Sequence, residues 1–455
     1  MKATMAAASA SAADKHLPTH SMRARAVADT LADRLQDPHR VPFQRGTDEA
    51  NPAHIRWRDV GTLGRGHAGI SLLFSSRAQA SPAHLATAHR HLQQAAKQMN
   101  DLPHPLVGLF GHVAGLGFAM TAARAATGGY TKALNELDRH ITNSARALCA
   151  AVKTPGPRDL DQFDVISGLT GIGRYLLLRG EPTADTLTHI LDTLAYVAVQ
   201  GPAPGRPASA TQLPGFWAAG APSGPADNTS DLARNGHLNL GLSHGIAGPL
   251  ALLSLAKEQG YGCERQSEAV ERLADLLTTW LQHDEYGPFW PDYLTRHEFL
   301  SGTAGPSRRS VRWCYGSPGV SRALQLAGRS HGRRDWLSVA DDTVAALLAA
   351  PRSNWVLPDM GLCHGWAGVL HLLGYFADGP NHVEVRTAMD EIAERVIDAF
   401  DVDATFGYRV AFTDPLKGGD YPGLLEGAAG IALSLDSYAS GATHSFPWDA
   451  ALMTA

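Results

Sequence analysis

Three residues of the sequence have the types and the placement needed to bind a transition metal. Cys314 lies in a Trp-Cys-Tyr-Gly segment, and Cys363 and His364 are adjacent in a Leu-Cys-His-Gly segment. Because neighbouring residues on a regular helix point about 100° apart, Cys363 and His364 can converge only at a turn, which the following glycine favours. Two thiolates and one imidazole leave the fourth tetrahedral position of zinc open, as in catalytic zinc sites. The alternative, two buried cysteines packed as small hydrophobic groups, is disfavoured by their matching placement, and we predict one zinc ion per chain.

Other residues, in segments of the same kind, are candidates for general acid–base chemistry. His244 lies directly before the glycine of its segment, as the histidine ligand does in its own, and an imidazole titrates near neutral pH. His244 is therefore a candidate general acid or base. Asp164, four residues before another glycine pair, either orients this histidine or caps the following helix. Tyr315 offers a hydroxyl group beside the first cysteine ligand, and Glu426 precedes the last glycine pair as a supporting or structural residue.

These residues lie beside copies of a small motif, Gly-x-x-Gly followed by an apolar run. Six complete copies begin at Gly66, Gly168, Gly245, Gly316, Gly365 and Gly427, and a seventh begins at His112 in place of glycine. The first positions are 46 (112 − 66) to 77 (245 − 168) residues apart, which suits two helices per copy. We predict an all-α fold, an α/α toroid of seven helical hairpins whose Gly-x-x-Gly turns gather at one end.

The stretches between the copies indicate the second helix of each hairpin. Apolar residues recur near i, i+3, i+4 and i+7 in residues 85–99, 130–152, 269–281 and 383–400. No sustained alternation of apolar and polar residues occurs, which predicts little sheet.

The rest of the chain is predicted as follows. Residues 1–20, in which the apolar content is almost entirely alanine, form a disordered tail, and residues 21–455 form a single domain. Pro/Gly-rich segments near 201–230 and 285–312 are loops, serving either as a lid or peptide-binding rim or as inert insertions.

Composition and charge exclude some classes of function. Hydrophobic residues make up 44% and charged residues 18% of the 455 residues, a balance typical of a globular protein. The net charge is −5 and no Lys/Arg-rich run occurs, so no nucleic-acid partner is expected. No stretch approaches the roughly 18 consecutive apolar residues of a membrane-spanning helix. We expect a cytoplasmic protein without a transmembrane segment, whose four cysteines are metal ligands or structural residues.

Five of these motifs, taken together, resemble those of the lanthionine synthetase C-like family, the LanC-type cyclases of lanthipeptide (lantibiotic) biosynthesis. They are Asp-Val-Ile-Ser-Gly-Leu-Thr-Gly at 164–171, Leu-Ser-His-Gly-Ile-Ala-Gly at 242–248, Trp-Cys-Tyr-Gly-Ser-Pro-Gly at 313–319, Leu-Cys-His-Gly-Trp-Ala-Gly at 362–368 and Leu-Glu-Gly-Ala-Ala-Gly at 425–430. The resemblance extends over nearly the whole chain, and the motifs are highly specific in this combination and order.

The resemblance implies an α/α toroid in which Cys314, Cys363 and His364 hold zinc. The implied reaction is an intramolecular Michael addition, in which a peptide cysteine attacks dehydroalanine or dehydrobutyrine and forms a (methyl)lanthionine thioether ring. A zinc-bound thiol loses its proton, whereas only a few per cent of a free thiol is ionised at neutral pH. The chemistry implied by the resemblance is therefore consistent with the predicted ligands.

The resemblance also assigns roles to the acid–base candidates and implies partners. His244, supported by Asp164, would protonate the enolate, and Tyr315 matches a further active-site position. The expected partners are a dehydrated precursor peptide with a leader and a separate dehydratase, since the toroid accounts for nearly the whole chain. An exporter complex, with this chain bound peripherally at the membrane, is a further option.

One departure from the family pattern concerns an arginine that many bacterial members carry four residues before the first zinc cysteine. That position is Ser310 here, and either Arg309 or Arg312 could supply the charge instead. The alternative function is a non-cyclising LanC-like zinc protein that binds glutathione or a protein partner. His244, Asp164 and Tyr315 favour the cyclase, because a binding protein needs none of them.

Overall fold

Helices account for most of the chain that the structure describes. This computed structural model describes residues 19–41, 43–44, 55–56, 59–78, 81–201, 212–222, 231–306, 309–409, 419–441 and 446–455. Its α-helices are α1 (Thr19–Leu35), α2 (His67–Ser76), α3 (Pro82–Asp101), α4 (Val113–Thr127), α5 (Thr131–Val152), α6 (Leu160–Phe163), α7 (Leu169–Arg179), α8 (Ala184–Ala198), α9 (Asp231–Asn235), α10 (Ala247–Glu258), α11 (Gln266–Thr279), α12 (Arg296–Ser301), α13 (Ser317–His331), α14 (Arg334–Ala349), α15 (Trp366–Leu373), α16 (His382–Asp398) and α17 (Ala428–Ser440). The predicted tail at 1–20 lies outside the described residues except at its end, where α1 already begins at Thr19.

A buried helix follows each predicted Gly-x-x-Gly turn. These inner helices are α2, α4, α7, α10, α13, α15 and α17. The second glycine of the motif is needed because the helix packs directly against its own turn. A Cβ atom at Gly368 would lie 2.0 Å from the Leu362 carbonyl oxygen, and one at Gly430 would lie 1.8 Å from the Leu424 carbonyl oxygen. The repeated glycine therefore permits the close approach of each inner helix to the turn before it.

The helices between the inner ones are amphipathic and cover them from outside. In α5, for example, the buried residues recur at helical spacing along one face: Leu134, Leu137, Ile141, Ala145, Cys149 and Val152. The outer helices α3, α5, α8, α11, α14 and α16 pack against α2, α4, α7, α10, α13 and α15, respectively. The predicted helical hairpins are confirmed.

The hairpins close into an α/α toroid. Each inner helix packs against the next one along the chain, and α17 returns to pack against α2. The seventh hairpin is discontinuous in sequence, because the outer partner of α17 is α1. At this junction Arg77, which follows α2, binds Asp436 of α17 with Nε and Nη2 at 2.7 and 2.9 Å from the carboxylate oxygens. The third nitrogen of Arg77 lies 2.9 Å from Asp29 of α1.

Sheet content is small, as predicted. The described strands are β1 (Phe43–Gln44), β2 (Ile55–Arg56), β3 (Trp217–Ala218), β4 (His237–Asn239), β5 (Gln282–Asp284), β6 (Gly287–Phe289) and β7 (Tyr293–Thr295). β1 and β2 are parallel, β5 and β6 form a hairpin, and β4 lies antiparallel between β3 and β7.

The two segments predicted as loops differ from each other. The prediction for 285–312 was wrong, because this segment contains β6, β7 and α12. Strands of three residues are too short to show alternation, but the capping box that starts α12, between Thr295 and Glu298, is readable in the sequence. In 201–230 the described residues 212–222 contain β3, and 202–211 and 223–230 lie outside the described residues.

The segment 446–455 lies among the inner helices. The indole nitrogen of Trp313 donates to the Leu452 carbonyl oxygen at 2.8 Å, and Arg322 of α13 donates to the Thr454 carbonyl oxygen at 2.6 and 2.9 Å. Through Trp313 this segment contacts the turn that carries the first cysteine of the predicted metal site. Among the helices that the structure describes, none has the length and apolar content needed to cross a membrane.

Candidate metal centre and active site

The seven turns lie at one end of the toroid and are joined by backbone hydrogen bonds in a closed circle. An amide of each turn donates to a carbonyl of the next, at 2.8 to 3.3 Å. The pairs are Leu63 to Gly111, Phe110 to Ile166, Val165 to Ser243, Leu242 to Cys314, Cys314 to Cys363, Leu362 to Leu425, and Leu425 to Gly64. The circle holds the residue before each first glycine at the same end of the ring, as the repeat pattern predicts.

Two of these turns bring the predicted metal ligands together. The ligand atoms of Cys314, Cys363 and His364 all lie within 4.8 Å of one another. The amide of Cys314 donates to the carbonyl oxygen of Cys363 at 3.3 Å, so the two turns are held in register. Cys314 is buried, whereas Cys363 and His364 are partly exposed, which leaves one side of the cluster accessible. Two thiols and an imidazole converging in this way fit a zinc ion with one open position.

A carboxylate that the sequence analysis did not select lies behind the histidine. Asp359 Oδ2 is 3.0 Å from His364 Nε2, and Asp359 Oδ1 accepts the amide hydrogen of Gly361 at 2.7 Å. Burial lowers the pKa of His364, but the interactions with the Asp359 carboxylate and the Cys314 sulfur together outweigh it and raise the pKa to about 10. The contact between Asp359 and His364 is an ion pair without the geometry of a hydrogen bond, and a carboxylate placed beside a ligating imidazole increases the basicity of the ring.

The two thiols of the cluster differ in acidity. The hydrogen bond from Cys363 lowers the pKa of Cys314 to about 6, although burial acts in the opposite direction. The same hydrogen bond raises the pKa of Cys363 well above its ordinary value, because this thiol donates to its neighbour. The shared hydrogen bond thus favours ionisation of Cys314 over Cys363, and a cation bound to both sulfurs would favour loss of the second proton.

The second predicted pair, His244 and Asp164, also forms. His244 Nδ1 is 2.6 Å from Asp164 Oδ2, and 34% of the histidine side chain is exposed. Asp164 Oδ1 accepts the amide hydrogens of Ser167 and Gly168 at 2.7 and 2.9 Å. One oxygen therefore orients the histidine, while the other binds the turn that precedes α7 and does not cap the helix itself. Burial lowers the pKa of His244, but Asp164 reverses this effect and the pKa is raised overall.

Tyr315 lies beside His244, with 6.5 Å between the ring centroids. Its hydroxyl oxygen accepts a hydrogen bond from Asn239 Nδ2 at 3.0 Å. A Cβ atom at Gly241 would lie 2.7 Å from Cδ1 of the tyrosine ring, so glycine at this position makes room for it. Burial raises the pKa of Tyr315, which keeps the phenol protonated.

The two arginines near Ser310 have different surroundings. Arg309 Nη2 lies 2.6 Å from Asp284 of β5, so its side chain is bound to the β5–β6 hairpin. Arg312 lies 5.9 Å from the centroid of the Tyr315 ring and 3.3 Å from Asp292. Of the two, Arg312 is the one placed beside an active-site candidate.

Glu426 belongs to the turn next to that of Cys363, whose amide donates to the Leu425 carbonyl oxygen at 2.9 Å. The Glu426 carboxylate lies 3.3 Å from Arg65 Nη2, and Arg65 Nη1 lies 3.4 Å from the Asp59 carboxylate. Glu426 therefore takes part in an ion-pair network beside the candidate metal site.

Asp359 and Asn239 were missed because each looks like an ordinary turn residue. Aligning the turns would have revealed them, since each lies six residues before the first glycine of its copy (365 − 359 and 245 − 239). In both residues, Oδ1 accepts the amide hydrogen of the residue two positions later. The second polar atom of the side chain then contacts a candidate site residue, which is His364 for Asp359 and Tyr315 for Asn239.

Comparisons with known proteins agree with this architecture. The family model described as "Lanthionine synthetase C-like protein" matches residues 59–453. The "Nisin biosynthesis protein NisC" of Lactococcus lactis subsp. lactis is 24% identical over 306 residues, which cover 66% of this chain and 70% of that protein. The solved structure of "Nisin cyclase" superposes with a TM-score of 0.72 at 20% identity, covering 94% of this chain and 97% of the other. With a family match over most of its length and the same toroidal fold, the chain belongs to the lanthionine synthetase C-like family.

Proposed function

We propose that the chain is a zinc-dependent lanthipeptide cyclase. Its substrate would be a dehydrated precursor peptide with a leader, prepared by a separate dehydratase in the cytoplasm, and an exporter complex is a further candidate partner. The observation that carries the proposal is the convergence of Cys314, Cys363 and His364 within 4.8 Å, at the same end of the toroid as the His244–Asp164 pair. The similarity to the nisin biosynthesis protein supports a peptide substrate.

The proposed ligands are chosen by the chemistry of their donor atoms. Cys314, Cys363 and His364 would hold one zinc ion, which supplies, when bound, the Lewis acidity that ionises a substrate thiol at neutral pH. The two thiolates of the chain reduce the positive charge of the centre, which keeps a substrate sulfur nucleophilic. Asp359 would fix the orientation of His364, and Arg312 would add positive charge beside Tyr315.

In the proposed reaction His244 donates the proton that completes the addition. Sulfur attacks the β-carbon of the dehydroamino acid, the carbon–carbon double bond becomes an enolate, and the α-carbon then accepts a proton. Because His244 Nδ1 is held by Asp164 at 2.6 Å, Nε2 is the nitrogen that faces the accessible side and delivers this proton. The thiol loses one proton and the α-carbon gains one, so the mass of the peptide does not change.

The proposal is tested by metal content and by thiol consumption, with Cys363→Ala as the variant. We expect about one zinc per wild-type chain and loss of zinc from the variant, because two protein ligands bind zinc weakly. Cyclisation of a dehydrated precursor is then followed by alkylation of the remaining free thiols. Cys263→Ala is the matched control, since Cys263 lies outside the cluster and is only partly buried.

The outcomes separate the two functions considered. Zinc-dependent loss of free thiols in wild type and control, but not in Cys363→Ala, supports the cyclase. Absence of zinc from metal-replete wild type contradicts the proposed mechanism. One zinc without any thiol loss indicates instead a non-cyclising zinc protein that binds glutathione or a protein partner.

A further inference from the structure

A buried chain of polar groups leads from the Pro/Gly-rich segment to the hydroxyl of Tyr315. The Gly220 carbonyl oxygen lies 3.0 Å from His237 Nδ1, and His237 Nε2 lies 3.4 Å from Asn239 Nδ2. Asn239 Nδ2 also lies 3.0 Å from the Tyr315 hydroxyl oxygen. His237 and Asn239 are both fully buried, in strand β4. This connection belongs to neither the metal cluster nor the His244–Asp164 pair.

The direction of every hydrogen bond in this chain can be assigned. A carbonyl oxygen only accepts, so His237 Nδ1 carries the hydrogen, and burial keeps the ring neutral by lowering its pKa. Nε2 of His237 is then an acceptor. Asn239 Oδ1 accepts the amide hydrogen of Gly241 at 3.0 Å, which fixes the amide orientation and makes Nδ2 the donor. Its two hydrogens are directed to His237 Nε2 and to the hydroxyl oxygen of Tyr315.

The consequence concerns the proton of the phenol. Because Asn239 donates to the hydroxyl oxygen, the O–H of Tyr315 cannot point back at Asn239. No other hydrogen bond of this hydroxyl is present among the described residues, and the tyrosine is only partly buried. The O–H is therefore free to donate away from Asn239, on a partly exposed residue whose ring centroid lies 6.5 Å from that of His244.

We infer that Asn239 is a positioning residue, which turns the O–H of Tyr315 toward the substrate so that it donates a hydrogen bond to the enolate oxygen as it forms. The inference rests on the proposed cyclase function. A neutral donor aimed at a developing oxyanion stabilises the transition state more than the ground state. His237 and Gly220 hold the amide of Asn239 in turn, which gives the described part of the 201–230 segment a structural connection to the site.

Replacing the amide by a carboxylate tests the direction of the bond. In Asn239→Asp one oxygen can still accept from Gly241, but the other can only accept from Tyr315, so the phenol proton turns away from the substrate. In Asn239→Ala the bond to Gly241 is lost, yet the phenol proton stays free. We expect kcat for cyclisation to fall about a hundredfold in Asn239→Asp, and to fall less in Asn239→Ala.

The order of the two variants distinguishes positioning from packing. A merely structural role predicts the reverse order, because aspartate preserves the shape and the Gly241 bond while alanine leaves a cavity. In a Tyr315→Phe background the difference between the two substitutions should disappear, with KM changed less than about threefold throughout. Asn143→Asp, the same exchange at an exposed position of α5, is the control and should be unaffected.

Zinc content and cooperative unfolding are measured for every variant. If wild type is active but Asn239→Ala cyclises more slowly than Asn239→Asp, the inference is overturned and the proposed cyclase function is unaffected. The same holds if the difference in kcat between the two substitutions is as large in the Tyr315→Phe background as without it. Wild type that binds zinc but does not cyclise the peptide overturns both.

Discussion

At the scale of single residues, two carboxylates lie behind two imidazoles at the same end of the toroid. Asp359 is 3.0 Å from His364, and Asp164 is 2.6 Å from His244. Both carboxylates use their second oxygen to accept backbone amide hydrogens of their own turn. The backbone of the turn thus fixes the carboxylate, and the carboxylate fixes the ring. One imidazole faces the two thiols, and both imidazoles remain partly exposed.

Replacing Asp164 by asparagine tests the second of these pairs. The Asp164 carboxylate raises the pKa of His244, so its removal should lower this pKa and reduce the protonated fraction at any given pH. As a general acid is lost when pH rises through its pKa, the alkaline limb of the kcat profile should shift to lower pH. We expect a fall in kcat of about ten- to a hundredfold at neutral pH. The measurement is the pH dependence of cyclisation.

Asp161→Asn is the control for this variant. Asp161 is an exposed carboxylate of α6, three residues before Asp164, and its loss removes charge without removing the bond to His244. An alkaline limb that stays in place in Asp164→Asn, or shifts equally in the control, would falsify the acid role assigned to His244.

At the scale of elements, a pair of buried histidines joins three helices away from the metal centre. His67 begins α2 and lies 2.9 Å, Nδ1 to Nδ1, from His91 of α3. His91 Nε2 donates to the Leu35 carbonyl oxygen of α1 at 2.8 Å, and its ring stacks on Phe74. His91 Nδ1 is then an acceptor, and His67 carries the shared hydrogen. Both rings are neutral in the folded chain.

Acid should therefore destabilise the toroid through these helices. Burial lowers the pKa of His67 to about 3 and that of His91 to about 4, from an ordinary value of 6.5. The unfolded chain binds protons that the folded chain excludes, so the stabilisation is complete above pH 6.5 and is lost as pH falls toward 4 and 3. Between pH 7 and 5 we expect the free energy of unfolding to fall by about 2 kcal/mol per histidine.

The measurement is urea unfolding of wild type and His67→Asn at both pH values. Asparagine can still donate to His91 but does not titrate, so this variant should lose roughly half as much stability on acidification. His140→Asn, at an exposed position of α5, should behave as wild type. Equal pH dependence in all three proteins would show that the pair does not control the acid response.

Much of the helical plan, and less of the site, could be predicted from the sequence. The Gly-x-x-Gly turns could be recognised in the sequence because glycine is required where two backbone segments approach closely. The candidate site residues could then be identified by their position beside these turns. Asp359 was not readable, since its function depends on contact with His364 and its residue type is common in turns. The choice between Arg309 and Arg312 needed the β5–β6 hairpin, whose strands are too short for a periodic pattern.

At the scale of the whole molecule, the first and last helices complete the toroid together. α1 is the outer partner of α17, and α17 is the inner neighbour of α2. The guanidinium of Arg77 joins all three, with a buried partner in Asp436 and an exposed partner in Asp29. No segment near α17 in sequence could have shown that its outer helix is α1, because the pairing is set by closure of the ring.

The two carboxylates on Arg77 provide a matched test of this closure. Asp436→Asn leaves a largely buried arginine without its bidentate partner, and we expect the free energy of unfolding to fall by about 3 kcal/mol. Asp29→Asn removes an ion pair whose carboxylate is 59% exposed, which should cost less than about 1 kcal/mol. Chemical unfolding of both variants is the measurement. Equal losses would mean that the α1–α2–α17 junction does not depend on the buried pair.

Closure of the hydrogen-bonded circle of turns also has a consequence for the order in which the protein is made. The amide of Cys363 donates to Leu425, and Leu425 donates to Gly64, so the turn carrying two of the three proposed ligands is held by a segment synthesised more than sixty residues later (425 − 363). A ribosome-bound chain that has not yet released α17 lacks this support and the partner of α1. We expect zinc loading to follow synthesis of α17, since the Leu425–Gly64 bond that closes the circle joins residues 361 apart in the sequence (425 − 64).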